Sequence, residues 1–260
     1  MVHRYMTHVG QQEIVIETGK LAGQADGAVT VTCGETVMLV TATASDEPRE
    51  GSDFLPLSVD YEERLYAAGR IPGGFIKREG RPSEASVLLC RLVDRPLRPL
   101  FDKGIRNDIQ IIITALSADP EIYLDVLAIL GASAALMISD IPFGGPVGAV
   151  RVGYVDGELV FNPSASQMER STLDLRLAGT ADAILMVEAG ALEVSEDLLM
   201  RAMRAGYQAI QESIEVQKRM AADIGKPKRA LAVTTIAEDL VAEIESRVKQ
   251  PLVEAMRAAR

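Results

Sequence analysis

Tryptophan is absent from the 260 residues, and Phe, Tyr and Trp together make up only 4% of the chain. The core must therefore be built from Val, Ile, Leu, Ala and Met. A broad aromatic platform for stacking bases is excluded, so any such contact rests on a few rings. Cysteine is also scarce: Cys33 and Cys90 stand far apart, with no CxxC or Cys/His spacing. That pattern excludes a disulfide framework, suggests no zinc site and points to a reducing cytoplasm. The two histidines, His3 and His8, lie at an N-terminus expected to be mobile, and no catalytic role is assigned to them. No uninterrupted stretch reaches the roughly 18 apolar residues that a membrane helix needs. The first ten residues also hold no apolar run of the secretory kind, so neither secretion nor membrane insertion is expected.

Basic residues are in deficit overall, with 27 Lys and Arg against 37 Asp and Glu and a formal net charge of -10. On a bulk reading this argues against a nucleic-acid partner, whose phosphates are bound mainly by Lys and Arg. The distribution reverses that expectation locally. Between Arg64 and Arg106 stand ten bases (Arg64, Arg70, Lys77, Arg78, Arg81, Arg91, Arg95, Arg98, Lys103 and Arg106) against four acids (Glu79, Glu84, Asp94 and Asp102), a local charge of +6. Arg outnumbers Lys eight to two in this Gly- and Pro-rich stretch, as expected where planar, bidentate phosphate contacts are made.

Hydrophobic residues at 48% and charged residues at 25% describe a globular chain able to bury a sizeable core. Its length allows one large domain or two. β-Branched runs at Glu13–Thr18, Ala28–Cys33 and Thr36–Ala44, separated by glycines, predict a strand meander. Asp53–Arg81 is weakly periodic and predicts mostly loop, with Ile71-Pro-Gly-Gly74 at its centre. A helix is expected from Ser83 to about Arg95, ended by Pro96 and Pro99, with Cys90 on its apolar side as a packing residue. Asp108–Ala115 reads as a central strand. Asp119-Pro120 reads as the cap of a buried central helix over Glu121–Ser139.

Asp156-Gly157 predicts a hairpin between Val147–Tyr154 and Glu158–Phe161, and Leu173–Ala178 and Ala183–Ala189 add two strands. One long amphipathic helix is expected over Ser195–Ala222, closing a first domain at about residue 224. From Gly225 a second helical pattern (Ile236, Leu240, Val241, Ile244, Val248) runs to a break at Pro251. Its apolar face has no partner in the residues that follow. Because an amphipathic helix draws most of its stability from packing that face, residues 225–260 predict the start of a helical domain and a chain that is part of a longer protein.

The segment RIPGGFIKREGRPSEASVLLCRLVDRPLRPL, from Arg70 to Leu100, together with IPFGGPVGAV, from Ile141 to Val150, closely resembles the first RNase PH-like core of the bacterial polynucleotide phosphorylase family. The similarity runs from about Ile14 to Ala222, and the tail resembles the start of that family's all-helical domain. The resemblance implies an α/β (α+β) RNase PH-like fold with mixed sheets and packed helices. It also implies a cytoplasmic homotrimeric ring that degrades single-stranded RNA from the 3′ end, with an RNA-degradation complex as a further partner. Inorganic phosphate would attack the terminal phosphodiester, releasing a nucleoside diphosphate with magnesium assisting. In the family those catalytic parts lie in the second core.

The resemblance also implies that this core is catalytically empty, with no catalytic or metal-binding residues of its own. The family's active core carries three serines eight to six residues before the Gly of a Gly-Ala-Ser on the central helix. Counting back from Gly131, this chain has Tyr123, Leu124 and Asp125. The active core also places two carboxylates six residues apart, with a Lys two further on, before an Ala-Gly-Thr. Counting back from Ala178, the positions here hold Met168, Asp174 and Arg176. One carboxylate is missing, and a hard divalent cation is poorly held by a single protein ligand.

Phe75, Lys77, Arg78 and Arg81 fall where the family has a loop at the ring's central pore, and they are the candidate RNA contacts, with Ile76 replacing a second Phe. Arg91, Arg95 and Arg98 are the candidates for a residual anion pocket. Two other readings are a free-standing RNase PH trimming tRNA ends and a non-catalytic ring subunit that only binds RNA.

Overall fold

The computed structural model describes residues 1–71, 73, 80–235 and 237–258. A first sheet holds β1 (His3–Val9), β2 (Gln12–Thr18), β3 (Gly27–Cys33), β4 (Thr36–Pro48), β5 (Leu57–Glu63) and β6 (Asn107–Ser117), in the order β1-β2-β3-β4-β6-β5. All its pairings are antiparallel except that of β5 with β6. A parallel pair needs a crossover connection, and here β5 reaches β6 through a helix, α1 (Glu84–Leu97). The second sheet is antiparallel, in the order β10-β9-β7-β8, from β7 (Gly148–Val155), β8 (Glu158–Phe161), β9 (Leu173–Gly179) and β10 (Ile184–Ala191).

Between the sheets lies α2 (Leu124–Ile138), which is hydrophobic nearly all round and buried at 13 of its 15 positions. A helix with this pattern belongs inside a core rather than on a surface. Gly131 lets it approach closely, because a Cβ there would stand 2.7 Å from Val40 and 2.9 Å from Val31. Ser133, fully buried, accepts a 2.8 Å hydrogen bond from the Val147 amide and ties the helix to the approach to β7. The mixed α/β class expected from the sequence is the class observed.

Several boundaries differ from the sequence reading, each for a physical reason. The N-terminus is an edge strand, not a mobile end: β1 pairs with β2 along its whole length. Only Thr7 and Val9 in it are buried, so no apolar run announced it. β5 likewise lies inside the segment read as loop, burying Leu57 and Tyr61 while its acidic residues face outward. α1 passes through Pro96, which sits in its last turn and so breaks little of the ladder. α2 starts at Leu124, since Asp119 closes a tight turn with Glu121 instead of capping the helix.

The expected long helix is two, α4 (Glu196–Ala209) and α5 (Gln211–Ile224), meeting at the fully buried Ile210. The break lets α4 lie on β7 and β9 while α5 turns onto α2 and β1. The one-turn α3 (Ala165–Met168) starts with a capping box between Ser164 and Gln167. At the end of the chain α6 (Glu238–Ala258) continues through Pro251 and leaves Leu240, Val241, Ile244 and Val248 exposed.

The stretch after Gly225 is bound to the first core before α6 begins. Lys228 Nζ donates to the carbonyls of Leu136, Met137 and Ser139 at 2.8, 3.1 and 2.7 Å, capping the C-terminus of α2. The Arg229 guanidinium holds Asp26 and Asp46, and the Thr234 amide donates to the Gly104 carbonyl. Burial pushes the Lys228 ammonium down to about 8, with Asp140 acting in the opposite direction.

Candidate functional site

Among the described residues the densest grouping of charge lies between α2 and the second sheet. Arg151 is inserted in the apolar run of β7 and is 5% exposed. A guanidinium at such depth must be paired. Its Nε and Nη2 donate to the two oxygens of Asp174 on β9, at 2.8 and 2.7 Å, and Nη1 reaches Asp125 on α2 at 3.4 Å. The cation also sits over the Tyr123 ring, 3.5 Å from its centroid, an attraction to the negative face of the ring.

Arg176, next but one to Asp174 on the same strand face, extends the chain of pairs. Its Nε donates to Asp125 at 2.9 Å, Nη2 to Asp174 at 3.1 Å and Nη1 to Glu188 of β10 at 3.1 Å. The other Glu188 oxygen accepts from Arg95 of α1 at 3.0 Å. Three guanidiniums and three carboxylates thus alternate from the amino end of α2 across β7, β9 and β10 to α1. Beside them opens a cavity of about 580 Å³ lined by Tyr123, Arg151, Met168 and Asp174 among others.

Of the positions singled out by counting back from Gly131 and from Ala178, Tyr123, Asp125, Met168, Asp174 and Arg176 therefore meet in space, and the charged ones form a closed network. Asp125 stands between two guanidiniums. Both Asp174 oxygens accept from arginines, and Met168 brings a thioether to the cavity wall. These residues do not fit a magnesium ion, which wants oxygen ligands free to coordinate. Arg151 and Glu188 were not foreseen. The signal for Arg151 was a lone charge between Val150 and Val152 in a strand buried on both faces. Glu188 carried no local signal, since its role depends on two partners distant in sequence.

The candidate anion-pocket residues are separated by their partners. Arg98 is fully engaged, with Nε and Nη2 on Asp94 at 2.9 and 2.7 Å and further bonds to the Leu55 and Leu57 carbonyls. Arg95 turns toward Glu188, and Arg91 is exposed on α1. Of the candidate RNA contacts, Phe75, Lys77 and Arg78 lie outside the described residues. Arg81 is exposed and lines a cleft of about 1050 Å³ with Arg64, Arg70, Glu62 and Glu63. Cys90 reaches the same cleft, and burial pushes its thiol up, away from the reactive thiolate form. Among the described residues no helix is long and apolar enough to cross a membrane, and no cluster of His, Cys, Asp and Glu could hold a metal ion.

Comparison with known proteins agrees with this architecture. The family model described as "3' exoribonuclease family, domain 1" matches residues 10–142, and that for domain 2 of the same family matches residues 145–209. A polyribonucleotide nucleotidyltransferase from Heliobacterium modesticaldum is 51% identical over 95% of this chain, and one from Thermomicrobium roseum is 56% identical over 88%. The chain spans 35% and 29% of those two proteins, about a third of the length of the curated relatives it matches. Rice Rrp46 shares the fold at a TM-score of 0.64 and 14% identity, covering 85% of this chain and 94% of its own. With both domain models matched in order and the two sheets divided between them, the chain belongs to the 3′ exoribonuclease family.

Proposed function

We propose that this chain is the first core of a polynucleotide phosphorylase, a phosphorolytic 3′-to-5′ exoribonuclease acting in the cytoplasm on messenger RNA, and that the core works without chemistry of its own. It contributes to a homotrimeric ring and to contacts with single-stranded RNA through Phe75, Lys77, Arg78 and Arg81, while phosphate and magnesium act in a second core. Residues from about 225 onward begin the helical domain between the two. An RNA-degradation complex is a further partner.

The observation that carries the reading is the pairing of Asp125 and Asp174 with Arg151 and Arg176. Phosphorolysis needs free cations and donors for the attacking phosphate and carboxylates free to hold a metal that neutralises developing charge, and here the cations and the carboxylates are engaged with each other. The chain incubated with poly(A), phosphate and magnesium should release no ADP above a buffer control. Release that survives repurification would overturn the assignment of an inactive core.

A further inference from the structure

The carboxyl end of α2 is completed by residues far along the chain. A helix leaves its last carbonyls without intrahelical partners, and buried carbonyls must find donors elsewhere. Leu136, Ser139 and Ile141 are fully buried here. Ser139 Oγ donates to the Leu136 carbonyl at 2.8 Å. Lys228 Nζ also reaches Leu136 and supplies Met137 and Ser139, the Lys226 amide supplies Ile138 at 3.0 Å, and the Arg229 amide supplies Asp140 at 2.8 Å. Each carbonyl of residues 136–140 thus accepts from Lys226, Lys228 or Arg229. The same residues hold the first sheet: Lys226 Nζ donates to the Asp26 carbonyl at 2.6 Å, just before β3, and Arg229 Nη2 to the Ala44 carbonyl of β4 at 3.0 Å. A second anchor follows closely. Val233 bridges Ile105, and the Thr234 amide donates to the Gly104 carbonyl at 2.9 Å. A Cβ at Gly104 would strike Val233 and stand 2.6 Å from the Thr234 oxygen.

We propose that residues 226–234 form a latch whose two anchors seat and release together, and that this latch ties the segment beyond residue 234 to the order of the last turn of α2. Only Ala230, Leu231 and Ala232 separate the anchors, and Leu231 packs on the core. Little slack is available over so short a link, since an extended chain adds at most about 3.6 Å per residue. Opening the first anchor strips donors from buried carbonyls, a loss that the freed residues do not recover. Release of one anchor therefore gains little until the other goes too. On this reading the first core ends after Thr234 and not at Gly225, and a displacement of α6 acts on the central helix at its carboxyl end. The inference goes beyond the functional reading and does not rest on it, since it concerns only these bonds.

Amide hydrogen exchange of the whole chain in increasing, sub-denaturing urea tests this without any substitution. The amides of Lys226, Arg229 and Thr234, with the Ser139 amide that closes the last turn of α2 on Ala135, should share one opening transition below that of the whole core, as a single cooperative unit does. Separate transitions for Arg229 and Thr234 overturn the latch, and so does exchange of all four only together with the β3 and β4 amides. Gly104→Val then forces the second anchor open from the opposite side. The Lys226, Arg229 and Ser139 amides should exchange at least about tenfold faster in this variant, while those pairing β3 with β4 keep their wild-type rates. Unchanged rates at Lys226 and Arg229 overturn the proposal, as does equal acceleration in β3 and β4. Should Gly104→Val fail to fold, the urea series on the wild type decides alone.

Discussion

Two groups of arginines of the same chemistry have opposite fates in this molecule. Arg151 and Arg176 lie inward, with 6% and 26% of their side chains exposed, and their charges are spent on Asp125, Asp174 and Glu188. In the basic stretch, Arg81 and Arg91 face solvent and Arg95 keeps 51% of its side chain exposed. The difference shows that a charge count along the sequence locates neither binding nor structure. What decides is whether the fold places an acid opposite the guanidinium. Arg98 sharpens the point: it sits in the basic stretch, yet it is held by Asp94 and by two carbonyls of the segment entering β5.

The largest test of this contrast is Arg151→Ala. It removes both partners of Asp174 on that arginine and one of the two guanidiniums on Asp125, and breaking a buried pair costs about 3 to 5 kcal/mol. Urea unfolding should show that loss as a lower midpoint with little change in slope. A loss no larger than that of a surface exchange would mean that water in the adjoining cavity already screens these groups.

A smaller effect is expected at Lys228, whose ammonium is held by the carbonyls of Leu136, Met137 and Ser139. Its folded value of about 8 lies below its ordinary 10.5, so between those two values the unfolded chain binds more protons. By linkage its contribution to stability is depressed below about 8 and rises as the pH climbs toward 10.5. Lys228→Met should flatten the rise of the urea midpoint across that window. Parallel profiles in wild type and variant would show that the three carbonyls at the end of α2 offset the burial.

The smallest effect belongs to Arg95→Ala. The Arg95–Glu188 pair is half-exposed on both sides, at 51% and 42%, and such pairs are worth about 0.2 to 1 kcal/mol. The loss should shrink further when salt is raised to about 1 M, where the Debye length is about 3 Å. A larger and salt-insensitive loss would place Arg95 with the buried group, as part of one cooperative network.

Much of the fold was legible because its signals were local. The alternation in β3 and β4, the Asp156-Gly157 hairpin and the all-apolar α2 each need only their own residues to declare themselves. β1 and β5 were not legible, since an edge strand buries one face or less and reads as polar loop. The break at Ile210 was equally hidden: nothing in its neighbours forbids a straight helix, and only the need to cover β7 and β9 on one side and α2 and β1 on the other bends the chain there. At the site, counting from Gly131 and Ala178 found Tyr123, Asp125, Met168, Asp174 and Arg176, because each lies at a fixed offset from a recognisable block. Arg151 and Glu188 belong to no such block.

The sequence by itself determined the class of the fold, the identity of the central helix and the residue types at fixed offsets from Gly131 and Ala178, all matters of residue type at a given place in the chain. The tertiary structure alone decided that the charged ones among them join a closed circuit. Asp125, Arg151, Asp174, Arg176 and Glu188 come from four elements, and their distances are set by the register of β9 against β7 and β10 and by the seating of α2 on both sheets. Pairing of charges falls off with distance and strengthens with burial, and neither distance nor burial is written in the order of residues.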